Sequence, residues 1–426
     1  MDREENEMSD ERSKEVEETI KQGRFRFAMK CLHKVMGANQ NKSFVFSPAC
    51  LHDALFLTFF LIKGEISERL KEMLCLGPIN ISKTDFINYY SYRRNRRQEW
   101  IPYSQNCNYD VRCWIDLNQK KFLPKLENTI SYFFDNPMNN SKQYRNCKDQ
   151  IKRVNELLNR PVEGLINERI TLPDDEQDII LMTSISNKFN FAALKANQSI
   201  RYFYPPLDIH VTELFDRNSN MSLYIFAPAS LTKISNNKTG WRITQNISHA
   251  DLSNFTQRLS TMQGVRELRN VLKSNVQGWV ITNTNSMHAL PFELEKDLTI
   301  RELLETLNIP LLTSEMIELD TIFGNNPRVQ IRNAVHRSHI KAINEEVVVH
   351  ATTLISSKGE DPPSNSNIVD INCNNPVIWM IANTNLDVFY VGSCNNTERV
   401  TKPVSADMPS TSGCSSSKKR RIDESS

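Results

Sequence analysis

The chain has 426 residues, with 52 Lys and Arg set against 50 Asp and Glu and a hydrophobic share of 39%. That composition builds a globular core, and it excludes a disordered chain; the net charge of +2 excludes a surface that attracts nucleic acid over its whole extent. No apolar run reaches the roughly 18 residues a membrane-spanning helix needs, so no membrane partner is expected.

The nine cysteines (31, 50, 75, 107, 113, 147, 373, 394 and 414) are scattered and show no Cys-x-x-Cys or Cys/His ligand spacing. Free thiols are the reading, with no metal and no cofactor. Residues 1–24 are polar and charged and predict a solvated N-terminal extension. They contain no apolar stretch of secretory type, so an intracellular, reducing setting is expected. The alternative, a chain secreted without a recognisable leader, draws only on scattered Asn-x-Ser/Thr sequons.

From Phe25 the pattern turns amphipathic, with Phe25, Phe27, Ala28, Cys31, Leu32 and Val35 near helical spacing. Phe44-Val-Phe46 predicts a short buried strand that Pro48 ends, and Leu51 to Ile62 predicts a helix buried in a core. Between Pro78 and Asp110 the chain is aromatic, Asn-rich and basic, which predicts a long surface excursion. Ile179–Ile185, Ser222–Phe226, Val377–Ile381 and Val388–Val391 are strand-like runs, the last two forming a hairpin-like pair, and Leu298 to Leu307 has helical spacing. Residues 347–368 begin strand-like and become a loop through Lys358-Gly-Glu-Asp361 and Pro362-Pro363. From about Val400 the tail is Ser/Pro/Thr-rich, cannot form a core, and ends in Lys418-Lys419-Arg420-Arg421.

Several of these segments, in order, resemble the serpin family over about residues 25–399. Phe44-Val-Phe-Ser-Pro48 with the following helix and Lys63-Gly64 resembles that family's early strand and helix B. Val154-Asn155 through Gly164-Leu165-Ile166 resembles its helix F signature, with Leu157 in place of a tryptophan. Ile179 to Phe191 resembles its central strand, with Thr183 where an asparagine is usual and Phe191 where a tryptophan is. Ser222-Leu-Tyr-Ile-Phe-Ala-Pro228, Leu290-Pro-Phe292, Val335-His336-Arg337, Ile343-Asn344-Glu345-Glu346 and Asn375-Pro376-Val377-Ile378-Trp379 continue the pattern.

The resemblance implies an α+β serpin fold, with three β-sheets, about eight or nine helices and an exposed reactive-centre loop. It divides the chain into the extension at 1–24, a serpin domain at 25–399 and a disordered basic tail at 400–426. It also implies a mechanism that is not enzymatic, in which a serine or cysteine protease cleaves the loop and the loop inserts into the large sheet, trapping the acyl-enzyme. No Gly-rich phosphate loop or nucleophile motif argues for an enzyme instead.

Rapid insertion favours glycine and small residues at the hinge. Here the hinge reads Glu345, Glu346, Val347, Val348, then His350, Ala351 and Thr352, and only Ala351 is as small as the family pattern. If Val348 turns into the core on insertion, period-two alternation places His350, Thr352 and Leu354 on the same buried face. A buried histidine without a partner costs about 1–3 kcal/mol. The hinge therefore predicts weak or non-inhibitory binding and regulation, through a protease or another protein at the loop. The alternative is a functional suicide inhibitor of a serine or cysteine protease.

The scissile bond has three candidates: Asp361 counting forward from the hinge, Asn365 counting back from Pro376, and Lys358 as the only basic residue within the loop. In the region that lets the sheet open, Ser47, Cys50, Thr183 and His336 stand where the family builds a hydrogen-bonded shutter cluster, and the resemblance gives His336 a gating role.

Arg93, Arg94, Arg96 and Arg97 form a candidate polyanion site, with Tyr89, Tyr90, Tyr92 and Trp100 either stacking on bases or packing. Lys418, Lys419, Arg420 and Arg421 are a candidate nuclear import signal. The expected protein is an intracellular monomer of cytoplasm and nucleus.

Overall fold

The computed structural model describes residues 8–39, 42–77, 80–95, 107–115, 147–158, 179–191, 200–216, 219–233, 241–244, 248–273, 292–307, 316–319, 328–343, 346–357, 366–371 and 376–394. In chain order the described elements begin with α1 (Asp10–Ala38), β1 (Phe44–Phe46), α2 (Pro48–Leu61), α3 (Glu65–Met73), α4 (Lys83–Asn95), β2 (Cys107–Ile115), α5 (Cys147–Leu158) and β3 (Ile179–Asn190). They continue through β4 (Ile200–Tyr204), β5 (Ile209–Asp216), β6 (Met221–Pro228), β7 (Ser230–Lys233), β8 (Trp241–Thr244), α6 (His249–Leu259) and α7 (Met262–Lys273). The last third holds β9 (Phe292–Thr299), α8 (Ile300–Thr306), β10 (Met316–Glu318), β11 (Arg328–Gln330), β12 (Asn333–Ile343), β13 (Glu346–Ser356), β14 (Ser366–Ile371), β15 (Val377–Asn383) and β16 (Val388–Cys394).

Two six-stranded sheets carry the architecture: a large sheet ordered β14-β9-β12-β13-β3-β2, and a second ordered β1-β16-β15-β6-β5-β4. Two-stranded ribbons, β10-β11 and β7-β8, complete the described strands. The inner face of the large sheet packs on the second sheet through a cluster that includes Ile185, Phe189, Ile340, Val347, Val349, Ile225 and Trp379. Its outer face meets α5, where Ile151 and Val154 touch Ile180, Met182, Val335 and Leu354.

Helix α1 begins earlier than the sequence predicts. Ser9 caps it by accepting the Arg12 N–H at 3.2 Å, and Val16 and Ile20 are buried, so the polar extension becomes structured from Asp10 onward. Its charged outer face hid the sparse apolar stripe that docks it. Helix α2 matches the predicted core helix: every residue from Pro48 to Leu61 is buried. The two helices are joined by Arg24, whose Nη2 donates to Asp53 Oδ1 at 2.8 Å in the interior.

The predicted surface excursion from Pro78 is corrected at its centre. Residues 83–95 form α4 because Phe86, Tyr89 and Tyr90 fall at helical spacing and bury against α2, with Phe86 5.7 Å from the Phe56 ring. Tyr89 and Tyr90 are therefore core residues, which removes them as base-stacking groups. Tyr92 directs its hydroxyl to Asp10.

The second correction concerns the segment expected to be exposed from Val347. Glu346–Ser356 is an eleven-residue strand seated between β12 and β3, antiparallel to both. Only its first residue is exposed. The run is rich in β-branched residues and has no charge between Glu346 and Lys358, which suits a central strand. After it, Ser366–Ile371 pairs antiparallel with β9 at the sheet edge. The chain thus descends in β13 and returns in the opposite direction as β14 before entering β15 of the second sheet.

Candidate functional site

The site forms where the N-terminus of α2 meets a lateral row of the large sheet. His336 of β12 stands opposite Thr353 of β13, and Thr353 stands opposite Thr183 of β3. Ser47 is the N-cap of α2, with its Oγ accepting the Cys50 N–H at 3.1 Å and donating to the Phe389 carbonyl at 2.6 Å. Pro48 in the first turn needs no donor partner. These features hold Ser47 and Cys50 directly against the row.

All four residues named from the sequence meet here, and a fifth completes them. The Ser47 backbone N–H donates to His336 Nε2 at 3.0 Å, and His336 Nδ1 lies 2.8 Å from Thr353 Oγ1. A backbone amide can only donate, so Nε2 must be the bare nitrogen and Nδ1 must carry the proton. The Thr353 hydroxyl donates onward to Cys50 Sγ at 3.3 Å, and the Cys50 thiol donates to the Thr183 carbonyl at 3.2 Å. Thr183 closes the chain by donating its Oγ1 proton to the Cys50 carbonyl at 2.7 Å.

This one-way chain fixes the charge state of its members. Burial, reinforced by the neighbouring His350, lowers the His336 pKa to about 3. A protonated ring would set a second donor against the Ser47 amide, which agrees with that direction. Burial pushes the Cys50 thiol up to about 12, so it acts as a hydrogen-bonding group and not as a nucleophile. Thr183 has no bond to His336 among the described residues; that link is made by Thr353 of β13. The cluster is therefore complete only while β13 is in the sheet. Nothing in the sequence pattern singled out Thr353, because its role depends on register across three strands.

The facing of β13 is also corrected. Val347, Val349 and Ala351 join the inner core, and Thr353 reaches α2 from the same face. Val348, His350, Thr352 and Leu354 turn outward, with Leu354 against α5. The flanking strands impose this choice: Val347 pairs with Ala342 and Phe189, both inward-facing residues. One ring nitrogen of His350 is engaged: Nε2 lies 3.0 Å from Thr352 Oγ1, which in turn bonds Ser184 Oγ at 3.1 Å.

Glu346, Val347, Val348, His350, Ala351 and Thr352 of the predicted hinge all lie in β13, whereas Glu345 falls outside the described residues. So do Lys358, Asp361 and Asn365, Arg96 and Arg97, Trp100, and Lys418, Lys419, Arg420 and Arg421. Arg93 and Arg94 lie near the end of α4. Among the described residues no group of His, Cys, Asp or Glu is arranged to hold a metal ion, and no helix is long and apolar enough to cross a membrane. Cys31, Cys50, Cys75 and Cys394 are buried and form no disulfide.

Solved structures match nearly the whole chain. Cleaved Serpin 42Da superposes with a TM-score of 0.58 at 15% identity, covering 90% of this chain and 100% of its own. The thermophilic serpin tengpin in its latent state gives 0.57 at 14% identity, covering 89% and 98%. A loop-inserted, cleaved ovalbumin mutant gives 0.53 at 14% identity, covering 88% and 99%. The chain has the serpin fold. No protein-family model and no curated protein matches the sequence. At this identity the likeness speaks for the serpin fold and leaves activity open.

Proposed function

We propose that this serpin-fold protein acts by binding and regulation, without a protease trap driven by loop insertion. One observation supports this above all: β13 is paired along its full length on both sides while the peptide chain runs on uncut from β13 to β15. A spring-loaded inhibitor needs that strand outside the sheet, where its insertion releases free energy after cleavage. Here the free energy of insertion is already spent.

The hinge chemistry supports the same reading. Small residues favour rapid entry; β-branched ones favour staying in. Val347, Val349 and Leu354 are fully buried apolar side chains on β13, and withdrawing each costs about 1.5–3 kcal/mol. The partner would be a protein that engages the segment between β13 and β14, and the intracellular setting would include the nucleus through Lys418, Lys419, Arg420 and Arg421. A fluorescent fusion that stays cytoplasmic with the tail intact would remove that nuclear element.

The test is thermal unfolding before and after limited proteolysis between Ser357 and Ser366, beside a denaturing gel with trypsin-like and acid-specific proteases. Unchanged stability after cutting, with no covalent complex, is the expected result. A large rise in melting temperature together with a complex that survives denaturation would overturn it and establish the suicide-inhibitor alternative.

A further inference from the structure

One edge of the large sheet is closed by a strand that matches it poorly. On one side β9 pairs with β12 along its whole length, from Phe292 opposite Ala342 to Thr299 opposite Val335. On the other side β14 covers only Phe292–Lys296, with a register shift between Ile368 and Asp370. Among the described strands none pairs with Asp297–Thr299 on that side. Pro362 and Pro363, shortly before Ser366, lack the N–H groups that would lengthen the ladder.

The two sides also differ in charge. Glu293, Glu295 and Asp297 alternate along β9 and so fall on one face of the sheet. On the β12 side they stand opposite Lys341, His339 and Arg337. On the β14 side Glu293 stands opposite Asp370, Glu295 stands opposite Asn367, and Asp297 lies beyond the ladder. Opposite charges in register favour a strand pair and like charges disfavour it. Between the acids, Leu294 stands opposite Ile368 and Phe292 opposite Ile371, and Leu294 is buried in the core between the two sheets. The apolar positions of this edge are therefore matched and its acidic ones are not.

We propose that the β14 side of β9 is a docking site for an extended segment of a partner protein, with Lys or Arg opposite Glu293, Glu295 and Asp297 and apolar residues between them. In the free chain β14 holds the site in cis. Main-chain ladder bonds supply the affinity and the alternating side chains the selectivity. Pairing starts on Asp297–Thr299 and advances toward Phe292, releasing β14 residue by residue. The site needs β14 on β9 and nothing from the loop's action on a protease, so it stands or falls apart from the non-inhibitory reading.

The test adds a fluorescein-labelled heptapeptide amide, Thr-Lys-Val-Lys-Val-Lys-Val, to the full chain and follows fluorescence anisotropy together with amide hydrogen exchange. The expected result is binding about tenfold or more tighter than that of the same peptide with glutamates for lysines, or of a shuffled Lys/Val peptide. Protection should be lost in residues 366–371 and gained in Asp297–Thr299. Asp370→Lys, which puts a cation opposite Glu293 in the chain's own strand, should weaken peptide binding about threefold or more and raise the protection of 366–371, a gain that a damaged fold does not give. The proposal is overturned if the peptide does not bind, if the glutamate or shuffled peptide binds as well, if binding leaves 366–371 protected, or if Asp370→Lys leaves binding unchanged. It is also overturned if a second copy of the chain takes the edge, seen as a dimer in which 366–371 lose protection and which added peptide does not dissociate.

Discussion

Replacing Thr353 by valine keeps the shape and the β-branched character of the side chain while deleting its hydroxyl. The Nδ1–H of His336, 2.8 Å from that hydroxyl, then loses its acceptor in a fully buried place. Leaving such a group unsatisfied costs about 1–3 kcal/mol, and the hydroxyl–Cys50 Sγ bond at 3.3 Å is lost as well. The cost falls on the sheet-bound state of β13 alone, because with β13 withdrawn residue 353 is in water in parent and variant alike. Opening of β13 should therefore rise about 5–150-fold, the population equivalent of 1–3 kcal/mol. Amide hydrogen exchange reads this directly: protection along 347–356 should drop by that factor while β5 and β6 keep theirs. Unchanged protection in β13 would refute the cluster's role. An equal loss across β5 and β6 would assign Thr353 to general packing and refute the local reading.

Acid should weaken the fold through its buried histidines. With folded pKa values lowered to about 3 for His336 and about 4 for His339, against 6.5 when free, their stabilisation is complete above pH 6.5 and falls as pH drops through these values. By pH 4 each should have cost about 3 kcal/mol at 1.36 kcal/mol per pH unit, and urea midpoints flat between pH 7 and 4 would contradict this. Arg24→Met leaves Asp53 buried without its 2.8 Å partner, so urea unfolding should show a loss of about 3–5 kcal/mol; a loss below about 1 would show that solvent reaches the carboxylate. Gly392→Ala puts a Cβ 2.3 Å from the Trp379 ring and 2.4 Å from the Phe44 carbonyl oxygen. Since β1 and β15 flank that position on both sides, the loss should reach about 3 kcal/mol or more, and a variant that melts as the parent would show that these strands can part freely.

Much of the chain was legible without coordinates because its signals are local. The apolar block from Leu51 to Ile62 has no polar face to expose, so it had to be a core helix, and it is α2. The runs from Ile179, Ser222, Val377 and Val388 are strands for the same reason, and the last two pair as a hairpin. The order of motifs led to the serpin fold, and Ser47, Cys50, Thr183 and His336 do come together. Helix α4 was missed because its Asn, Tyr and Arg content masked a three-residue apolar stripe whose value depends on Phe56 lying beneath it.

The strands and the core helix are readable from side-chain chemistry and periodicity along single segments, whereas Ser47, Cys50, Thr183 and His336 were pointed to by the family resemblance. Long-range pairing settles that Glu346–Ser356 lies inside the large sheet, which of its faces meets the core, and that Thr353 is the link between His336 and Cys50. Those outcomes depend on register with β12 and β3, partners distant along the chain, and a shift of one residue would turn every side chain of β13 to the opposite face.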